Sequence, residues 1–122
     1  MNQAKNHLIG GITGGIGSKI AVKLSAEGDS VAGYARKAAA DDPFHSQEGF
    51  TLKICDATDP EALENVINEF QQELGSIDSY THAIGSIYLR PAHLTPVDDW
   101  LQTIQTNLSS AFYALRAVAK IM

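Results

Sequence analysis

With 122 residues, 44% of them apolar and 19% charged, the chain is sized for one domain with one core. A formal net charge of −5 argues against a nucleic-acid or anionic-membrane surface, and no apolar run approaches the ~18 to 20 residues of a membrane span. Met1 to Asn6 is polar, and the short apolar segment after it is broken by glycine, so no secretory leader is expected. Cys55 is the only cysteine, which excludes an internal disulfide and fits a reducing, cytoplasmic setting with a buried thiol at a strand end. In so acidic a protein, a site for an anion has to be built locally from backbone N–H groups and a few basic side chains.

His7 to Ile12 is a short, mostly apolar run that suits a buried parallel strand; it contains Gly10 and Gly11, and Gly14, Gly15 and Gly17 follow it. Ile16, Ile20, Ala21 and Leu24 then recur at helical spacing until Gly28, a C′ residue. A strand that ends in a glycine turn and opens a helix near Gly15 is built to receive a phosphate. The first N–H groups of the helix have no internal partner, the macrodipole is positive there, and glycine lets the backbone approach closely.

Val31 to Ala35 forms the second strand, with Arg36 and Lys37 directly after it, and residues 37–48 read as a loop. Phe50, Leu52 and Ile54 alternate in a third strand that runs to Cys55, followed by Asp56. Asp59 as N-cap and Pro60 at N1 start a helix whose apolar stripe is Leu63, Val66, Ile67 and Phe70, ended by Gly75. Ile77 to Ile84 is the fourth strand, and Gly85 to Leu94 a longer irregular connection. Thr95-Pro96-Val97-Asp98 supplies an N-cap, an N1 proline and an N3 carboxylate for a last helix over residues 98–122. Four strands alternating with helices indicate an α/β fold, a parallel sheet covered on both faces, with strand order 3-2-1-4 and the glycine turn at the switch point.

From about Lys5 to Met122 the chain resembles the short-chain dehydrogenase/reductase family, which implies a three-layer, doubly wound fold of Rossmann type. The family's Thr-Gly-x-x-x-Gly-x-Gly element falls on Gly10, Gly11, Gly15 and Gly17, with glycine in place of its threonine. The position that carries an acid in NAD-preferring members is Ala35 here, followed by Arg36. An acid would bind the ribose 2′-hydroxyl and repel a 2′-phosphate, so the resemblance implies NADP(H) in preference to NAD(H). Arg36 and Lys37 also read as a solvated pair after a strand. Gly14 stands where the family often has a second basic residue.

Asp56 matches the acid that in the family bonds the adenine amino group, and it equally suits a turn carboxylate that binds its own backbone. The family's Asn-Asn-Ala-Gly after strand 4 corresponds to His82-Ala83-Ile84-Gly85, which keeps the glycine and loses both asparagines, as in some divergent members including certain enoyl reductases. For His82 the reading is a buried ring bonded to a neighbouring carbonyl. Trp100 and Asn107 match the helix that carries the asparagine of the catalytic tetrad, which in the family bends the helix and holds a water of the proton relay; Asn107 also reads as an ordinary polar residue that kinks a helix. The resemblance thus implies a dinucleotide held by Gly11, Thr13, Gly14, Gly15, Ile16, Gly17, Arg36, Lys37, Asp56, Ala57, Ala83 and Gly85, with Asn107 at a catalytic position.

Family chemistry also needs a serine, a tyrosine that protonates the carbonyl and a lysine four residues after that tyrosine. Tyr34, Tyr80, Tyr88 and Tyr113 are followed at that spacing by Ala38, Ile84, Ala92 and Ala117, so the pattern does not occur. His7, His45, His82 and His93 are scattered without metal-ligand spacing, and no Ser/His/Asp set is recognisable locally. The leading expectation is a single domain over residues 1–122, the cofactor-binding half of an oxidoreductase that ends before the family's catalytic region. The alternative is a non-catalytic nucleotide-binding or oligomerisation module from a truncated or split gene. On either reading the fourth strand presents an open, apolar edge and the last helix a bare face, so self-association through strand 4 or the helix at 98–122 is expected.

Overall fold

The structure is a computed structural model that describes residues 3–37 and 50–122; the expected loop at 37–48 lies, apart from Lys37, outside the described residues. Four parallel strands, β1 (Asn6–Gly10), β2 (Ser30–Ala35), β3 (Phe50–Ile54) and β4 (Ser79–His82), form one sheet in the order β3-β2-β1-β4. The order is the one expected from the alternation of strands and helices. Helix α1 (Gly15–Ala26) follows β1, and α2 (Pro60–Leu74) follows β3. After β4 come a short 3-10 turn (Ala92–Leu94), α3 (Val97–Ile104), a π-helical turn (Gln105–Ser109) and α4 (Ser110–Ala119).

Side chains alternate across a strand, so each central strand feeds both faces of the sheet. Leu8 and Ala32 point to the face covered by Leu63, Ile67 and Phe70 of α2 and Ala114, Ala117 and Val118 of α4. Ile9 and Val31 point to the other face, where Ile12 of the glycine turn and Ala21 of α1 close a second, smaller cluster. These are the helix, sheet and helix layers of the expected fold. Leu8, Ile9, Leu63, Ile67 and Phe70 are fully buried, and each such side chain contributes on the order of 1.5–3 kcal/mol by leaving water.

The sequence signals for α1 and α2 are realised in detail. Gly28 has φ +92° just past α1, and Gly75 has φ +84° at the end of α2 with its N–H on the Gln71 carbonyl at 2.8 Å. The Asp59 carboxylate accepts from the Ala62 N–H at 3.2 Å, with Pro60 at N1.

Three expectations are corrected. The strand expected over 77–84 is only Ser79–His82, because Ile77 is taken into the core at 6% exposure and the chain leaves the sheet after His82. The free edge is therefore built from Ser79, Tyr80, Thr81 and His82, and is polar rather than apolar. Thr95 does not cap the last helix: its hydroxyl donates to the Pro91 carbonyl at 3.0 Å, which also accepts the Leu94 N–H at 3.0 Å, and Pro96 takes the N-cap position. Nor is the last helix one continuous α-helix, since the π turn at Gln105–Ser109 divides it. A π turn inserts one residue into the helical repeat and is common at functional sites.

Candidate cofactor site

A cleft of about 530 Å³ lies where the strands end and their following turns meet. Gly11, Thr13 and Gly14 line it from the turn before α1; Tyr34, Ala35 and Arg36 from the end of β2; Cys55, Asp56, Ala57 and Thr58 from the turn after β3. Ala83 to Tyr88 line it from the segment after β4, and Asp99, Gln102, Thr103, Thr106 and Ser110 from the last helical region.

The glycine turn is built by close approaches. Gly11 has φ +81°, donates its N–H to the Tyr34 carbonyl at 2.9 Å, and would place a Cβ 2.6 Å from the Ala83 carbonyl oxygen. A Cβ on Gly17 would run into the Gly11 carbonyl, and one on Gly14 would lie 3.3 Å from the same oxygen. Gly15 differs: a Cβ there would meet nothing within 4 Å. The protein itself therefore makes no demand for glycine at position 15, whereas a ligand that sits against the helix end would.

Gly14 is the N-cap of α1, and with no side chain it caps nothing. The first turn of α1 carries no acidic residue, so nothing offsets the positive end of its dipole, and the first N–H groups lie open to an anion. Gly15 and Ile16 are exposed and Gly17 buried in this turn, and none of the three lines the cleft.

Ala35 is buried at the end of β2, with Arg36 and Lys37 exposed after it; Arg36 faces the cleft and Lys37 is not among its lining residues. Asp56 is a turn carboxylate: its Oδ1 accepts from the Thr58 N–H at 2.9 Å and from the Thr58 hydroxyl at 2.7 Å. Those two bonds hold its carboxyl below the usual aspartate range, with the Arg36 charge adding a smaller push. Beside it, burial pushes the Cys55 thiol up to about 11, so the thiol is neutral at physiological pH.

Asn107 lies in the π turn, exposed and outside the cleft lining. Its Oδ1 accepts from the Ser86 N–H at 2.9 Å, and its Nδ2 donates to the Thr103 carbonyl at 3.0 Å. The second bond ties the Asn107 side chain back onto the end of α3. Gly85 makes the first possible, because a Cβ there would sit 3.1 Å from Asn107 Oδ1.

His82 is half-buried and bonds no carbonyl, which corrects the expectation. Its Nδ1 meets the Tyr80 hydroxyl at 2.8 Å and its Nε2 the Ser110 hydroxyl at 3.2 Å. Tyr80 in turn meets Tyr34 at 2.6 Å, above Gly10, where a Cβ would come within 2.5 Å of the Tyr80 oxygen. A signal for this cluster was present: in parallel register Gly10 has Tyr34 on one side and His82 on the other.

A second polar set sits at the opposite ends of the strands. His7 Nδ1 meets the Ser79 hydroxyl at 2.5 Å and His7 Nε2 meets Asp29 at 2.8 Å, so the sheet assembles a Ser, a His and an Asp that are far apart in sequence. None of the three lines the cleft.

Residues 11–122 match the family model described as enoyl-(acyl carrier protein) reductase. The chain belongs to the short-chain dehydrogenase/reductase family. It is 31% identical over 125 residues to the 3-oxoacyl-acyl-carrier-protein reductase FabG of Escherichia coli (strain K12), across 98% of this chain and 50% of that protein. It is 32% identical over 114 residues to a probable NADP-dependent dehydrogenase of Haemophilus influenzae, across 91% of this chain and 45% of that one. Among solved structures, a short-chain dehydrogenase/reductase from Serratia marcescens superposes with a TM-score of 0.88 at 25% identity, over 98% of this chain and 51% of that chain. The ligand-free aldohexose dehydrogenase of Thermoplasma acidophilum gives 0.88 at 22% identity over 98% and 45%, a likeness of fold. The chain spans about half the length of the curated relatives it matches.

Proposed function

We propose that residues 1–122 form a single domain that binds NADP(H) in preference to NAD(H), as the cofactor-binding part of a short-chain oxidoreductase. The observation that carries this reading is the pairing of an uncapped α1 N-terminus, reached through side-chain-free Gly14 and Gly15, with Arg36 on the cleft at the end of β2. The first accepts a pyrophosphate; the second offers a guanidinium to a 2′-phosphate, where Ala35 leaves no carboxylate to repel it. Asp56 and Ala57, lining the cleft after β3, would face the adenine, and Ala83 and Gly85 the far half of the dinucleotide. Thr13, Ile16, Gly17 and Lys37 complete the proposed contacts. Lys37 contributes charge only, since it stands off the cleft.

The dinucleotide supplies a hydride acceptor or donor for a carbonyl/alcohol pair. This chain's residues bind and orient it, and Asn107, fixed through Ser86 and Thr103, holds the turn that the family places beside the reacting group. Among the described residues no helix is long and apolar enough to cross a membrane. That, with the lone cysteine, supports a cytoplasmic setting. The absence of Tyr-x-x-x-Lys within these residues keeps a second reading open, a nucleotide-binding module without activity of its own.

Titration with NADPH and NADH, followed by Trp100 fluorescence or calorimetry, tests the proposal. NADPH should bind more tightly, and Arg36→Ala should cost NADPH about ten- to a hundredfold in affinity, the ~1.5–3 kcal/mol of a hydrogen bond to a charged group, with little change for NADH. Equal affinity for the two dinucleotides, or tighter NADH, would overturn it.

A further inference from the structure

The hydrogen bonds around His82 run in one direction only. Ser110 donates its single proton to the Thr106 carbonyl at 2.6 Å, so toward His82 its oxygen can only accept. His82 therefore carries its proton on Nε2 and donates to Ser110, which leaves Nδ1 as the acceptor for the Tyr80 hydroxyl; Tyr80 accepts in turn from Tyr34. Every hydroxyl proton in the chain from Tyr34 to Thr106 is donated once, and every buried side-chain polar atom among the described residues has a partner. Both ends of the chain, Tyr34 at one and Thr106 with Ser110 at the other, line the cleft.

We infer that His82, in its neutral Nε2–H form, is a positioning residue that ties the end of β4 to the π turn and so sets where Asn107 and the Ser86 backbone stand beside the cofactor cleft. The inference rests on the dinucleotide reading for its functional consequence, and on the hydrogen-bond geometry alone for its structural one. It also accounts for two departures from the family pattern together: glycine at position 10, where the family has threonine, makes room for the two tyrosine hydroxyls that orient the histidine standing where the family has asparagine.

Protonation of His82 breaks the direction of the chain. A proton on Nδ1 confronts the Tyr80 hydroxyl, which has to turn and donate to Tyr34, and Tyr34 is then left fully buried with a proton and no acceptor in the chain. Burial lowers the His82 pKa in the same sense. Among the described residues, the groups that face His82 are Tyr80 on its own strand, Tyr34 beyond it on β2 with Cys55 near that tyrosine, the neutral Ser110 from α4, and Gly10 from β1. None of these is charged at neutral pH.

The test compares the chain with His82→Phe, which breaks both bonds, and His82→Asn, which does not titrate and keeps an amide oxygen near the Nδ1 position for Tyr80, with its N–H group on the Ser110 side. Amide exchange at Ser86, whose N–H is held by Asn107, should quicken at least about tenfold in His82→Phe and return toward the parent rate in His82→Asn. Nitrogen-15 shifts of His82 should show the Nε2–H tautomer near pH 7. NADPH affinity should fall with Ser86 protection in His82→Phe. Between pH 7 and 5 the parent should lose affinity more steeply than His82→Asn; the difference between the two cancels the titration of the 2′-phosphate itself. If His82→Phe does not fold, Ser110→Ala breaks the same tie at its other end. Unchanged Ser86 exchange in a folded His82→Phe or Ser110→Ala protein, or an Nδ1–H tautomer, would overturn the inference. If the parent fails to bind NADPH, the dinucleotide reading falls while the exchange and tautomer results still decide the role of His82.

Discussion

At the scale of single residues, the glycines of the turn divide into those the fold requires and one that the proposed ligand requires. Gly11→Ala combines a positive φ with a Cβ 2.6 Å from the Ala83 carbonyl, and should destabilise the protein by about 1–3 kcal/mol in urea unfolding. Gly15→Ala meets nothing within 4 Å and sits in the first turn of α1, where alanine is the better helix former. Its stability should be unchanged or slightly raised while NADPH affinity falls about tenfold; unchanged affinity would move the phosphate away from this helix end. The Ser79–His7–Asp29 set makes a prediction of its own. Bonds from His7 and from the Lys5 N–H lower the Asp29 pKa, so near pH 4 the folded chain binds fewer protons than the unfolded one. The stability this confers is present in full above the unfolded value of about 3.9 and is lost as the pH falls through the folded value. Asp29→Asn should therefore lower the urea midpoint at pH 7, with the gap to the parent narrowing as the pH falls below the unfolded value. A gap that does not narrow in acid would show that the carboxylate charge of Asp29 contributes nothing.

At the scale of elements, the sequence was legible where one local rule decides. Asp59-Pro60 and Gly75 bound α2, Gly28 ends α1, and the alternation in the strands assigns Leu8 and Ile9 to opposite faces, because capping, positive φ and side-chain parity all act within a few residues. It misled where a distant partner competes. Thr95 has the identity of an N-cap, yet the Pro91 carbonyl four residues back takes its hydroxyl. Ile77 opens the stretch that reads as the fourth strand, yet it packs into the core before the ladder begins at Ser79. The π turn left no mark in the apolar pattern, since Ile104 and Leu108 keep the ordinary helical spacing of four across it. Only Asn107, at the family's position, pointed to it. The candidate site divides in the same way: the glycine turn, Arg36 and Asp56 could be read from local motifs, whereas the Tyr34–Tyr80–His82–Ser110 chain joins two strands and a helix through register, which no single stretch of sequence contains. The Ser79–His7–Asp29 set escaped notice for that reason also.

At the scale of the whole molecule, the fold leaves an apolar surface on its last helices. Leu101, Leu108, Phe112 and Leu115 are exposed at 57%, 63%, 61% and 57%, and Phe112 and Leu115, three apart in α4, share one side of that helix. Trp100, half exposed, borders them. Asp98 and Asp99 lie in the first turn of α3 and Arg116 in the last turn of α4, so two copies laid antiparallel would set the acidic start of one beside the basic end of the other. The β4 edge offers less, because its side chains are polar and a polar edge gains little from burial. Self-association is therefore expected through the helical face: sedimentation at micromolar concentration should give a dimer or larger species, and Phe112→Asp should return it to a monomer without loss of helical content. A monomeric mass for the unaltered chain at that concentration would remove this expectation. A dimer that survives Phe112→Asp but not substitution on β4 would transfer it to the sheet edge.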